Sequence, residues 1–182
     1  VHSRYPDGVG AFDSVANRLY FTRNNYYYGT VDRNSKGELN LAIFYSNVVS
    51  GEFGQPEWSN LVPFEHNEPE ANYGHPCVSP DGRKLFFASD RDGGQGGTDI
   101  WYCENLGNQW GSPINMGPEV NSQGNELFPF LHRDSTLYFV STGHPGLGGY
   151  DIFYSRLSRT GAGKVFSAGA DLDAADRLDH AR

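Results

Sequence analysis

The chain has 182 residues, of which 37% are hydrophobic, 14% aromatic and 23 are glycine, a balance that suits many short strands and tight turns. Its formal charge of -8 and pI near 5.1 exclude nucleic acid and anionic membrane surfaces as partners, because neutralising phosphates takes a clustered basic surface. No apolar run approaches the roughly 18 residues that span a bilayer. The opening VHSRYPDGVG carries neither an initiator Met nor a signal-peptide pattern, so residue 1 is expected to be an internal cut.

In chain order, the first strand-forming run is Leu19-Tyr20-Phe21, followed by an insertion from Asn24 to Glu38 that holds Tyr26, Tyr27 and Tyr28. Ile43-Phe44-Tyr45-Ser46 then matches Ile100-Trp101-Tyr102-Cys103 at a shift of 57 residues, and Phe53-Gly54-Gln55-Pro56 matches Trp110-Gly111-Ser112-Pro113 at the same shift. The middle copy predicts four strands: His75 to Ser79, Lys84 to Ser89, Thr98 to Cys103, and an outer one beginning over Ile114 to Met116. Its first turn is Pro80-Asp81-Gly82, where glycine permits positive φ. The third copy repeats the second at a shift of 52, since SDRDGGQGGTDIWYCE (89–104) returns as STGHPGLGGYDIFYSR (141–156). There the turn becomes His132-Arg133-Asp134-Ser135, and Asp99 and Ile100 return as Asp151 and Ile152, whereas the first copy has Ala42 in the place of Asp99.

Leu85-Phe86-Phe87-Ala88 and Leu137-Tyr138-Phe139-Val140 are apolar on both faces, which requires cover on both sides. Strand-rich units of this period, stacked face to face, predict β-propeller blades. The expected architecture is all-β: about three four-stranded antiparallel blades, near 10–64, 73–118 and 126–160, forming a partial propeller over 1–160. Three blades do not close a ring, since known propellers use at least four, so the ring is incomplete. After Tyr154-Ser155 the aromatic pattern stops, and 161–182 is expected to be a tail of uncertain origin: an irregular segment, one short polar helix, or foreign sequence.

Ser79-Pro80-Asp81-Gly82-Arg83-Lys84-Leu85-Phe86-Phe87-Ala88-Ser89-Asp90-Arg91, followed by Gly97-Thr98-Asp99-Ile100-Trp101, resembles the WD-like, TolB-type β-propeller repeat. The longer spacing through Asn115-Met116-Gly117-Pro118-Glu119-Val120-Asn121-Ser122 resembles the version found in envelope proteins that join a propeller to an OmpA-like peptidoglycan-binding domain, some relatives being accessory components of type IX secretion. The resemblance covers about residues 12 to 157 and implies a periplasmic or outer-membrane-associated location. No OmpA-like segment lies within these residues, so cell-wall binding carries over to none of them.

The chemical candidates are sparse. Asp90, Asp92 and Asp99 with neighbouring glycines invite a calcium site, but their spacing is unlike an EF-hand loop. Asp99 and Asp151 instead suit acceptors for backbone N–H groups of their hairpins. Arg91 suits a structural partner of nearby carboxylates. The glycine run 93–97 is followed by a strand and has no Lys-Ser or Lys-Thr pair, so it is no phosphate cradle. Glu65, Glu68, Glu70, Glu119 and Glu126 fall in inter-blade connections, where solvated carboxylates are the default. No Gly-x-Ser-x-Gly is present, and the six histidines lack the close pairing of metal ligands. Cys77 and Cys103 fall on first and third strands, about 9.5 Å apart at ordinary strand spacing, too far for a disulfide.

These residues predict a non-enzymatic binding or scaffolding module with no cofactor and with protein partners in the cell envelope. The candidate contact residues sit in loops: Tyr26, Tyr27, Tyr28, Arg91, Asp92, Gln95 and His144. Asp81, Gly82, Asp90, Asp99, Ile100, Trp101, Asp151 and Ile152 belong to the structural repeat. The alternatives are a carbohydrate-acting propeller enzyme lacking its catalytic blades, and a short protein that completes its ring by self-association.

Overall fold

A computed structural model describes residues 7–27, 30–31, 33–133, 135–158 and 161–167. Its elements among these residues are strands and turns, arranged as three antiparallel blades and one small hairpin. Blade one contains β1 (Asp7–Asp13), β2 (Arg18–Asn24), β5 (Leu41–Ser50) and an outer edge made of β6 (Pro56–Trp58) and β7 (Val62–Pro63), both paired to β5. β3 (Tyr26–Tyr27) and β4 (Thr30–Val31) form the hairpin inside the insertion. Blade two is β8 (Tyr73–Val78), β9 (Lys84–Ser89), β10 (Asp99–Glu104) and β11 (Ile114–Asn115). Blade three is β12 (Glu126–Leu131), β13 (Thr136–Ser141), β14 (Asp151–Ser158) and β15 (Gly161–Ser167).

β15 extends the third blade into the segment expected to be tail, because β14 continues to Ser158 and pairs Leu157 with Ala162 and Tyr154 with Phe166. Residues 168–182 lie outside the described residues.

The blades stack through two apolar layers. One joins Tyr20 and Ile43 of blade one to Leu85, Phe87, Trp101 and Cys103 of blade two. The other joins Phe86, Ala88 and Ile100 of blade two to Leu137, Phe139 and Phe153 of blade three. β9 is thus buried on both faces, as its unbroken apolar run requires. Cys103 and Cys77 are free and buried in different layers, so the sheet itself separates them.

The pairing also corrects one alignment. Phe44 faces Pro63 and Tyr45 faces Val62, as Trp101 faces Asn115 and Tyr102 faces Ile114. Ser59 N–H donates to the Asn47 carbonyl as Gly111 N–H does to that of Glu104. Trp58, and not Phe53, therefore occupies the place of Trp110. The hairpin around Gly51–Gln55 is an insertion of five residues that accounts for the shift of 57 before it and 52 after it.

Conserved geometry across the copies continues at the inner edge. β8 and β12 each shift register by a bulge, at Gly74/Cys77 and Leu127/Phe130. The bulged residues His75 and Phe128 both have φ of 53°, a left-handed conformation that neither side chain favours. The amide freed in the first bulge reaches back one blade, His75 N–H donating to Thr22 Oγ1 at 2.8 Å.

Candidate functional site

Two surfaces concentrate side chains that a partner could meet. The first is the end of the blades where second strands turn into third strands and where the chain passes between blades. The insertion of blade one meets the 64–72 connection there, Ser35 donating to both carboxylate oxygens of Glu70 and Asn40 Nδ2 to the Pro69 carbonyl. All seven residues expected to contact a partner belong to these hairpins or to the blade-one insertion.

The sequence missed what organises this end. Asn121 accepts from Ile100 N–H at 2.8 Å and donates to the Ile100 carbonyl at 2.9 Å; Asn67 does the same to Ile43 at 3.0 and 2.7 Å. Asn125 accepts from Thr98 N–H and Asn72 from Leu41 N–H, both at 3.0 Å. Each connection is thus pinned to the third strand of the blade it leaves by two asparagines. The next hairpin completes the lock: Asn72 donates through backbone and side chain to Asp90, and Asn125 N–H donates to Thr142 Oγ1. Asn67-x4-Asn72 and Asn121-x3-Asn125 are the signal that could have found it.

The hairpin carboxylates behave as their spacing implies. Asp99, fully buried, accepts from Gln95 N–H and Asn115 Nδ2 on Oδ2, and Asp151 accepts from Leu147 and Gly148 N–H. Among the described residues no group of three His, Cys, Asp or Glu side chains could hold a metal ion. Glu126 departs from expectation: it opens β12, is fully buried, and accepts from Ser122 N–H, Ser122 Oγ and Ser141 Oγ. Three donors satisfy a carboxylate that solvent would otherwise have to hold.

Two of the expected contact residues are turned inward. Arg91 pairs with Glu68 at 2.8 Å and lies 5.1 Å from the Trp101 ring centroid, leaving its side chain 19% exposed. His144 makes the corresponding bond in blade three, its Nε2 lying 2.7 Å from the Val120 carbonyl while its ring packs on Phe139 and Phe153. Both clasp a hairpin to the preceding connection. Asp92 and Gln95 are exposed, and the Gln95 carbonyl accepts from Gln123 Nε2. Tyr26 is half-buried in β3; the side chain of Tyr27 and the whole of Tyr28 lie outside the described residues.

The second surface is the inner wall, formed by β1, β8 and β12. It carries a cleft of about 380 Å³ lined chiefly by Val9, Phe12, His75, Phe128 and Phe130. His75 stacks on Phe128 with ring centroids 3.8 Å apart, and burial pushes its imidazole below the ordinary range, so it is neutral at pH 7. At the opposite end from the hairpins, the Ser79 hydroxyl holds the Asp81 carboxyl below the usual carboxylate range and fixes the turn that Gly82 closes at φ 69°.

This arrangement of blades has a solved counterpart. The chain superposes on TolB from Acinetobacter baumannii with a TM-score of 0.51 at 17% identity, over 90% of this chain and 33% of that one. The fold is a TolB-like β-propeller with an incomplete ring. The chain spans about a third of the length of that relative. No protein-family pattern matches the sequence, and the sequence comparison with curated proteins found no match.

Proposed function

We propose that the chain is a non-catalytic propeller module, of the kind carried by OmpA-associated envelope proteins, that binds a protein partner in the Gram-negative cell envelope, and that contact is made at the hairpin end. The observation that carries this reading is the occupation of the polar side chains there. Asp99, Asp151, Glu126, Arg91 and His144 all hold the fold, whereas Asp92, Gln95, Leu147 and Tyr150 face outward and Tyr26 is half-exposed. A rigid scaffold presenting variable loops is how such surfaces recognise partners. The fold likeness supports an envelope role by analogy alone, and the spacing from Asn115 to Ser122 supports the OmpA-associated kind.

The test is site-specific photo-crosslinking in envelope fractions, with the crosslinker at Asp92, Gln95 or Tyr26 and, as controls, at Arg83 or Asn108 on the opposite end. A discrete adduct from the hairpin positions alone is expected. Adducts only from the control positions, or turnover of a chromogenic glycoside that is lost on changing a single carboxylate, would overturn the reading.

A further inference from the structure

At the end opposite the hairpins, blades one and two enclose a cleft of about 220 Å³ whose lining is mostly polar. It is lined by Asp13, Arg18, Tyr20 and Tyr45 of blade one, by Trp110 of blade two, and by Glu65 of the connection between them. Its walls belong to a junction that this chain forms by itself. The space is below the roughly 300 Å³ at which pockets begin to take drug-sized ligands, so it suits an occupant of few heavy atoms.

Arg18 brings an unneutralised charge to this cleft. It is half-buried and stands opposite Asp13 in the pairing of β1 with β2, yet it makes no ion pair with any described residue. Asp13 is committed to its own turn, its Oδ1 accepting from Val15 and Ala16 N–H at 2.9 and 3.0 Å. The guanidinium is nevertheless held in place. Its Nε donates to Asn47 Oδ1 at 2.7 Å and its Nη1 to the Tyr20 hydroxyl at 3.1 Å, while its Cζ lies 4.1 Å from the Tyr45 ring centroid. Tyr20, fully buried, is fixed in turn by the Trp110 indole N–H, which donates to its hydroxyl at 3.0 Å. These contacts leave Arg18 Nη2 without a partner among the described residues. A guanidinium already positioned, with one edge free, suits a carboxylate, and it has little side-chain freedom left to lose on binding one.

The cleft also offers the opposite sign. Glu65 is exposed, and its Oε1 accepts from Trp110 N–H at 2.6 Å while Oε2 has no partner among the described residues. Two carboxylates beside one guanidinium disfavour a plain anion and favour a ligand that carries an amine together with its carboxylate. We propose that this cleft binds a small zwitterion, a free amino acid, with its carboxylate on Arg18 and its ammonium on Glu65, in the field of Asp13. This inference stands apart from the binding role proposed above, because it uses the other end of the blades and a ligand of another class.

Titration calorimetry of the chain with each standard amino acid in turn tests it. At least one should bind. Its N-acetyl derivative, which lacks the ammonium, and its amide, which lacks the carboxylate, should each bind weaker by about tenfold or more, the usual worth of one charge-assisted hydrogen bond. Arg18→Gln should weaken the amino acid by a similar factor and leave its amide unchanged. Glu65→Gln keeps a carbonyl for the Trp110 N–H and covers the case in which the Arg18 variant fails to fold; it should weaken the amino acid and its amide alike. No binding by any amino acid up to about 10 mM would overturn the proposal. So would an N-acetyl derivative that binds as well as its parent, or binding that both variants leave intact.

Discussion

Blades two and three place the same residue types on the same strands, yet they live in different surroundings. Ile100 and Ile152 are repeat partners, each following the aspartate that opens a third strand, and one is sealed between sheets while the other faces outward. Phe86 and Tyr138 differ in the same direction. The strand pattern decides which face a side chain joins; a neighbouring blade decides whether that face is dry. Burial here is a property of the junction.

The largest test of that contrast is a charge at each of the two isoleucines. Ile100→Asp buries an unpaired carboxylate and should cost on the order of 4–5 kcal/mol or abolish folding. Ile152→Asp, at a side chain 57% exposed, should change stability by less than about 0.5 kcal/mol. Chemical denaturation of both variants gives the comparison directly, and equal losses would mean that the blade two to blade three junction is not formed.

Next in size is the asparagine clasp, which sharpens the likeness of the two closed junctions. Asn121→Ala strips partners from both backbone groups of Ile100 and should cost about 2–3 kcal/mol; Asn67→Ala should cost a similar amount at Ile43. A denaturation midpoint that moves for only one of the pair would show that the connections are not equivalent.

Much of this was legible in the sequence. The 52-residue shift, the doubly apolar strands and the Asp99 and Asp151 hairpins set the blades and their order. The rest depended on distance. Asn67 and Asn121 lie 24 and 21 residues from the strand residues they bracket, so the paired asparagines show in the sequence but their targets do not. Glu126 is buried because hydroxyls from Ser122 and Ser141 converge on it, and a carboxylate in a polar stretch shows neither partner. The bulges at His75 and Phe128 are backbone conformations that their side chains oppose, imposed by the blade behind. Of the contact candidates, Asp92, Gln95 and Tyr26 remain outward or partly so, while Arg91 and His144 are spent on the fold; a loop arginine looks the same in sequence either way.

The hairpins offer a smaller contrast. Asp99→Ala removes a fully buried acceptor of two bonds and should cost about 1–3 kcal/mol, and Asp151→Ala, in the more open hairpin, about 1 kcal/mol or less. Thermal melts of the two variants against wild type would rank them. The smallest effect concerns acid. His75 is held neutral by burial, whereas in the unfolded chain it takes up a proton near pH 6.5. Stability should therefore be fully present above about pH 6.5 and decline as pH falls below it. His75→Gln should flatten that decline in a pH series of denaturation curves; an unchanged slope would place the imidazole in solvent.

The two thiols report on both closed junctions without any substitution. Cys103 lies in the layer between blades one and two, its thiol pushed up to about 12 by burial, and Cys77 lies in the layer between blades two and three, its thiol also raised by burial. The measurement is the rate at which native chain reacts with a thiol-specific chromogenic disulfide near neutral pH. The stacked-blade account predicts that Cys103 stays protected, that Cys77 reacts slowly, and that both react at once in denaturant. Immediate reaction of either thiol in the native chain would show its junction open and contradict the account.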